Sequence, residues 1–241
     1  MKRIFDIIFS FIGLVVMSPV LLVFMYLVWR QDRYSPFYVA PRVGFNGKTF
    51  NMVKLRSMVK NAAASGVDST SNSDMRITSV GHIIRRYKLD EFCQLGNVLA
   101  GSMSLVGPRP NVTRDVDLYT REERRLLSVK PGITDFSSIV FADEGSILDG
   151  SPDPDLKYNQ VIRPWKSRLG LLYIANSSVF LDIKIILLTV LAIVSRRAAL
   201  DMLCDLVSRY TDDRELLSAC RRQSELQPFP PPGATQVVTA R

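Results

Sequence analysis

Histidine is almost missing from this sequence: His82 is the only one in 241 residues. Serine–histidine and cysteine–histidine triads, and histidine-ligated metal sites, must therefore use that residue or not exist. Next to Gly81 it reads most simply as a polar residue flanking a helix. Cysteine is also scarce. Cys93, Cys204 and Cys220 are scattered and odd in number, which argues against a disulfide framework and makes a reducing compartment the simpler assumption. The glycines form neither a phosphate loop nor a dinucleotide fingerprint. There is no zinc-finger spacing, no RNA-binding aromatic signature and no clear recognition helix, so nucleic acid is the weakest candidate partner. No internal repeat is apparent.

What is present is cationic and apolar. The formal net charge is +8, which favours a polyanionic partner such as anionic lipid or a phosphorylated substrate. The length suits one domain with appendages, or at most two small domains. Met1-Lys2-Arg3 precedes a long apolar run from Ile4 to Trp29, long enough to cross a bilayer. Trp29-Arg30-Gln31-Asp32 offers no small-residue cleavage site, against a signal peptide. Two features count against a plain spanning helix. Ser18-Pro19 sits mid-run, where proline removes a backbone hydrogen bond and Ser18 can satisfy the freed carbonyl. Basic residues flank both ends, Lys2-Arg3 before and Arg30 with Arg33 after, and cationic flanks prefer the cytoplasmic side. A helix that bends at Ser18-Pro19 and returns to the side it entered satisfies both.

The central stretch, Lys88 to Pro110, carries an adjacent carboxylate pair, Asp90-Glu91, and an arginine between two prolines, Pro108-Arg109-Pro110. Read as a helix, Leu89, Phe92, Cys93, Gly96 and Leu99 share one face, with Asp90, Gln94 and Asn97 as the neighbouring polar stripe. Gly101 is a natural stop. Residues before proline are pushed extended, so Arg109 stands on stiff backbone suited to bidentate phosphate binding. The same features also describe a solvated carboxylate pair on a surface helix followed by a proline turn.

Around this stretch, Phe45-Asn46-Gly47-Lys48 reads as a hairpin turn leading to a strand at Phe50, Met52 and Val53 and the basic cluster Lys54-Leu55-Arg56. Asn61 to Asp74 reads as a mobile loop and Met75 to Thr78 as a short strand. Ser79 to Arg86 opens a helix that presents Arg85 and Arg86 just before the carboxylates. Asp115 to Val129 reads as a charged helix, Ser137 to Phe141 as a short strand, and Asp143 to Asp155 as a loop. Asp115-Val116-Asp117 and Asp153-Pro154-Asp155 match the loose Asp-x-Asp pattern of metal-dependent glycosyltransferases, without a preceding apolar strand. Val161 to Ser178 fits an amphipathic interfacial element. Phe180 to Val194 is apolar but too short to span, and fits a helix lying on the membrane or closing the core. A polar helical tail with Leu203, Leu206, Leu216 and Leu217 follows, and Pro228 to Pro232 reads as disordered.

Taken together, the helix broken at Ser18-Pro19, Lys54-Leu55-Arg56-Ser57-Met58, Arg85, Leu89-Asp90-Glu91, the run from Gln94 to Pro110, and Lys130-Pro131-Gly132-Ile133-Thr134 resemble the bacterial sugar transferase family. These are monotopic phosphoglycosyl transferases, and the resemblance covers roughly Lys2 to Val194. It implies a mostly helical α+β monotopic membrane protein with an N-terminal re-entrant helix, interfacial amphipathic helices and a small β element. The expected organisation is a membrane helix at 1–33, a cytosolic catalytic domain resting on the membrane at 34–197, and a variable tail at 198–241. The implied reaction moves sugar-1-phosphate from a UDP-sugar to undecaprenyl or another polyprenyl phosphate and releases UMP. Asp90 is then the nucleophile, Glu91 helps hold Mg²⁺ with Asp90 or assists the incoming phosphate, Arg85, Arg109 and Lys54 bind phosphate, and Ser18-Pro19 makes the membrane-helix break. Such a protein sits on the cytoplasmic face of the bacterial inner membrane among its lipids, with no nucleic-acid partner and a homodimer left open. After Thr134 many members continue with a tryptophan-containing segment, whereas Asp135-Phe136-Ser137-Ser138-Ile139 follows here, which leaves the sugar open. The large multi-span N-terminal domain of some members is not seen, so the chain resembles the minimal form. The rival readings are a membrane-anchored Asp-x-Asp glycosyltransferase releasing UDP, and a non-catalytic scaffold of a glycan assembly complex.

Overall fold

The computed structural model describes residues 1–240. One helix, α1 (Lys2–Asp32), carries the apolar run without interruption through Pro19. Proline deprives the Val15 carbonyl of its amide partner, and the Ser18 hydroxyl donates to that carbonyl at 2.8 Å, as the sequence predicts. One side of α1 packs against the body through Asp6, Ser10, Leu21 and Val28. The other side leaves Ile4, Ile8, Phe11, Val16, Leu22 and Val23 exposed.

Both ends of α1 are tied to the same body. At the start, Lys2 Nζ meets Asp182 Oδ2 at 2.5 Å and donates to the Val106 carbonyl and Tyr173 hydroxyl at 3.0 Å. Arg3 donates to the Leu99 carbonyl at 2.8 Å, and Asp6 accepts from Ser104 Oγ and the Leu105 amide at 2.9 and 3.1 Å. At the far end Asp32 pairs with Arg56, with one bond at 2.7 Å, and Val28 packs with Leu55, Ile84 and Leu89.

Strands β1 (Phe37–Val43) and β2 (Thr49–Leu55) form an antiparallel hairpin. Its turn is built as the sequence predicts, with Asn46 and Gly47 at φ 54° and 74°, the left-handed region that Asn and Gly tolerate best. Helix α2 (Ser79–Arg86) is capped by Thr78, whose hydroxyl accepts from the Gly81 amide. Lys88 then turns the chain at φ 57° into a 3₁₀ turn, Leu89–Cys93, which runs on into α3 (Gln94–Ala100). The tighter turn shifts the helical phase. Leu95 and Val98 face the core, Gly96 is exposed and Leu99 only half-buried, so the apolar face read from the sequence is displaced by one residue. Gln94 and Asn97, read as a polar stripe, are buried. Asn97 stitches α3 to β2, accepting from the Val53 amide and donating to the Asn51 carbonyl at 2.9 and 2.8 Å.

Strand β3 (Ser104–Val106) follows, then α4 (Thr113–Asp117) and a 3₁₀ segment Glu123–Ser128. The single charged helix expected over Asp115 to Val129 is therefore broken; Thr120 and Glu123 exchange hydrogen bonds of 3.0 Å across the gap. Strand β4 (Gly132–Thr134) pairs parallel with β3. The strand expected at Ser137 to Phe141 is instead helix α5 (Phe136–Val140), because Asp135 caps it by accepting from the Ser138 amide. The loop expected at Asp143 to Asp155 contains α6 (Glu144–Leu148) and the start of α7 (Pro154–Lys157). A π-turn, Tyr158–Ile162, connects α7 to α8 (Arg163–Asn176). In α9 (Val179–Val194), Leu181, Ile185 and Leu188 are buried while Phe180, Leu187 and Val190 are exposed, so it both closes the core and presents an apolar face. Helices α10 (Arg196–Val207) and α11 (Arg214–Arg221) join the main core through Leu200, Leu203, Leu206 and Leu216.

Three further expectations change. Residues 61–74 are docked: Asp155 accepts from the Ser69 amide at 2.7 Å and Asp149 from the Ser73 amide at 3.1 Å. Met75 to Thr78 contributes only a bridge, Ile77 to Met58. The proline-rich stretch is placed rather than disordered. Phe229 stacks on Trp165 at 4.4 Å, Arg168 donates to the Pro230 carbonyl, and Thr120 donates to that of Pro232. An aromatic inside the proline run supplies the apolar contact that composition alone does not reveal.

Candidate active site

The hairpin, α2, the 3₁₀ turn, the Pro108–Pro110 loop and the α5–α8 region surround a cleft of about 1060 Å³. Among the described residues ten basic side chains line it against five carboxylates, an excess that suits a polyanionic ligand. Lys54, Arg85, Asp90, Glu91 and Arg109 all line it. Ser18 and Pro19 lie in α1, outside it.

Each of these side chains is placed by a local rule. Residues directly paired in the hairpin share a face. Tyr38 opposite Lys54, and Arg42 opposite Phe50 four pairs further on and so on the same face, put Tyr38, Arg42 and Lys54 on the cleft side. Arg85 leaves the last turn of α2 and donates Nε to Ser57 Oγ at 2.9 Å. Gly81 lets α2 sit this close, since a Cβ there would lie 1.9 Å from the Ser57 carbonyl oxygen. Arg109 is set by the meeting of β3 and β4. A Cβ on Gly132 would fall 2.1 Å from the Gly107 nitrogen, so glycine at 132 permits the contact that brings Arg109 Nη1 within 2.9 Å of the Ile133 carbonyl.

The carboxylate pair is divided between two partners. Arg109 grips Glu91 with both terminal nitrogens, at 2.7 and 3.2 Å. Asp90 has Lys54 Nζ at 3.8 Å, a looser contact. Their protonation differs accordingly. Burial pushes the Asp90 carboxyl above its ordinary value, with Lys54 pulling it down and Glu91 pushing it up. Burial also acts to raise Glu91, but Arg109, Lys88 and Lys54 outweigh it and hold the group down at about 2. Burial lowers Lys54, partly offset by Asp90 and Glu91. Glu91 is thus a fixed anion locked to a fixed cation, while Asp90 is an under-compensated carboxylate facing open space.

Sequence reasoning missed Arg42, Lys88, Glu144, Lys166 and Tyr158, all lining the same cleft. Period-two alternation from Lys54 through its hairpin partner could have found Arg42. Nothing local marked Glu144 or Lys166. Three of the four Asp-x-Asp carboxylates are held in structural contacts: Asp153 caps α7 through the Leu156 amide, Asp155 holds the 68–69 backbone, and Asp115, buried at the cleft wall, accepts from Asn159.

A profile described as bacterial sugar transferase matches residues 1–196. The chain belongs to the bacterial sugar transferase family. It is similar to the uncharacterized sugar transferase EpsL of Bacillus subtilis, at 36% identity over 79% of this chain and 85% of that protein. It is also similar to the UDP-N-acetylgalactosamine-undecaprenyl-phosphate N-acetylgalactosaminephosphotransferase of Aeromonas hydrophila, at 32% identity over 80% of this chain and 44% of the relative. The undecaprenyl-phosphate galactose phosphotransferase of Salmonella typhimurium is 34% identical over 83% of this chain and 41% of its own length. The chain thus spans less than half the length of several curated relatives it matches. In this chain a cleft with the adjacent carboxylates Asp90 and Glu91 and several cations is held against a long apolar helix.

Proposed function

We propose that the protein transfers sugar-1-phosphate from a UDP-sugar to a polyprenyl phosphate, giving a polyprenyl-diphosphate-sugar and UMP. The observation that carries this reading is the split carboxylate pair: Asp90 loosely faced by Lys54 at 3.8 Å, beside Glu91 locked to Arg109. The names of the Aeromonas and Salmonella relatives carry both a phosphotransferase and undecaprenyl phosphate, which supports this reading.

In this mechanism an Asp90 oxygen attacks the β-phosphorus of the donor. The bond from that phosphorus to the bridging oxygen breaks and UMP leaves, with a phosphosugar on the Asp90 carboxylate. An oxygen of the polyprenyl phosphate then attacks the same phosphorus, and the bond to Asp90 breaks. Splitting one transfer into two is what a nucleophilic carboxylate supplies. Phosphoryl transfer otherwise needs positioning and charge neutralisation, the work assigned to Lys54, Arg85 and Arg109. The donor set also fits Mg²⁺, which takes one or two carboxylates together with substrate phosphate and water; Asp90 and Glu91 would hold it, and it would neutralise diphosphate charge.

The anchorage of α1 supports the membrane placement. At 1.5 Å per residue the 31-residue helix is roughly 45 Å long, yet Lys2 and Asp32 at its two ends both pair with the body. A helix spanning the bilayer would carry one end to the far side. Re-entrant insertion from the cytoplasmic face of the inner membrane, by a helix that stays continuous through Ser18-Pro19, keeps both ends on one side. Cysteines introduced at residues 2 and 33 test it: labelling from opposite faces contradicts re-entry.

The reaction is tested by incubating purified protein with UDP-sugars, polyprenyl phosphate and Mg²⁺. UMP is the expected product. UDP as product would instead indicate glycosyl transfer, and activity surviving Asp90→Asn would remove Asp90 as nucleophile. Mass spectrometry of protein quenched with UDP-sugar alone should find the phosphosugar on Asp90.

A further inference from the structure

Glu144 and Lys166 form an ion pair on the cleft wall that the phosphoryl chemistry leaves unused. Glu144 opens α6 and Lys166 lies in α8, so the contact bridges two elements. Both line the cleft with Ser138 and Tyr158, and Lys166 Nζ lies 5.1 Å from the Tyr158 ring centre. Unlike Arg163 and Glu123, whose side chains are 1% and 0% exposed, Lys166 and Glu144 keep 15% and 32% of their side-chain surface open. This pair is open toward the cleft. Burial raises the Glu144 carboxyl, but Lys166 and then Arg109 and Lys88 outweigh it and keep it charged. The wall therefore lies within electrostatic reach of the arginine that grips Glu91.

We propose that the Glu144–Lys166 pair reads the sugar of the nucleotide donor. A hexose attached to a diphosphate held by Arg109 extends past the phosphates. Its hydroxyl or acylamino groups need an acceptor for their O–H or N–H and a donor for their oxygens. A carboxylate beside an ammonium supplies both, and its position on α6 and α8 gives a rigid spacing. Sites that hydrogen-bond a substrate group reject analogues lacking it far more strongly than apolar pockets do. The inference rests on the donor being a UDP-sugar, and its test is a binding measurement so that it stands or falls separately from the reaction.

Calorimetric dissociation constants of the full chain in detergent with Mg²⁺ are measured for UDP and for a panel of UDP-hexoses and UDP-N-acetylhexosamines. The wild type should spread the panel by at least about tenfold. Glu144→Gln and Lys166→Met should collapse the spread to within about threefold while UDP affinity stays put. The exchange Glu144→Lys with Lys166→Glu keeps the attraction, and hence the packing, but reverses acceptor and donor; it should reorder the panel. A wild type without a spread, variants that keep the spread, variants that weaken UDP equally, or an exchange that restores the original ranking would each overturn the proposal. UMP release with an unchanged spread removes only the role of this pair. A collapsing spread without UMP release removes the reaction and leaves the sugar-reading role.

Discussion

Arg109 holds Glu91 by two parallel hydrogen bonds, one from each terminal nitrogen, while its Nη1 also reaches the Ile133 carbonyl at 2.9 Å. The guanidinium thus has a carboxylate on one side and β4 backbone on the other, and it presents its remaining edge to the cleft. Arg109→Lys keeps the charge but cannot make the fork. UMP release is expected to fall about a hundredfold, with the melting temperature nearly unchanged. Equal activity in the lysine variant would mean that charge alone suffices.

Glu123 and Arg163 are sealed in the interior, with Ser167 donating to Glu123 at 2.7 Å. Removing the carboxylate strands a buried cation. Glu123→Ala should cost about 3–5 kcal/mol of unfolding free energy, read from denaturant midpoints. Glu123→Gln, which still accepts from Ser167, should cost less.

Acid should loosen the Glu144–Lys166 contact. The folded carboxyl lies below its ordinary 4.5, so its stabilisation is present above that value and is lost as pH falls below it. Denaturation of the wild type at neutral pH and below 4.5 should therefore differ more than it does in Lys166→Met. An identical acid slope in the two proteins would show that the pair does not contribute to stability.

Ser18→Ala leaves the Val15 carbonyl without the 2.8 Å bond it now receives. The expected loss is about 1 kcal/mol. Pro19→Ala in the same background restores an amide to that carbonyl and should recover it. Thermal unfolding in detergent separates the two.

Phe229→Ala removes the stack on Trp165 and frees the segment that donates the Phe229 amide to Gln160 at 3.0 Å. Gln160 lies in the π-turn that also carries Tyr158. Limited proteolysis should then cut near residue 229 sooner than in the wild type, and Phe229→Trp should restore protection.

Local chemistry made some of this architecture legible. Asn46-Gly47 announced its hairpin, and Ser18 beside Pro19 announced its back-bond, because both depend only on neighbours along the chain. The gathering of Lys54, Arg85, Asp90, Glu91 and Arg109 in one cleft followed from family resemblance and not from any single segment. What escaped depended on contacts between distant segments or on a change of helical pitch. The 3₁₀ turn at Leu89–Cys93 slid the α3 core face onto Leu95 and Val98. Asp135 turned an apparent strand into α5. Glu144 and Lys166 come together only when α6 meets α8, which no spacing in the sequence records.

The double anchorage of α1, through Lys2 to Asp182 and Asp32 to Arg56, ties the helix to the body at both ends. Seated in lipid as proposed, a helix tied at both ends would keep the cleft close to the headgroups. Encounter with a lipid-borne acceptor then becomes a search in two dimensions. Turnover should follow the mole fraction of polyprenyl phosphate in the micelle or bilayer rather than its concentration in the tube, and diluting the acceptor with inert lipid should slow the reaction even when total acceptor is held constant.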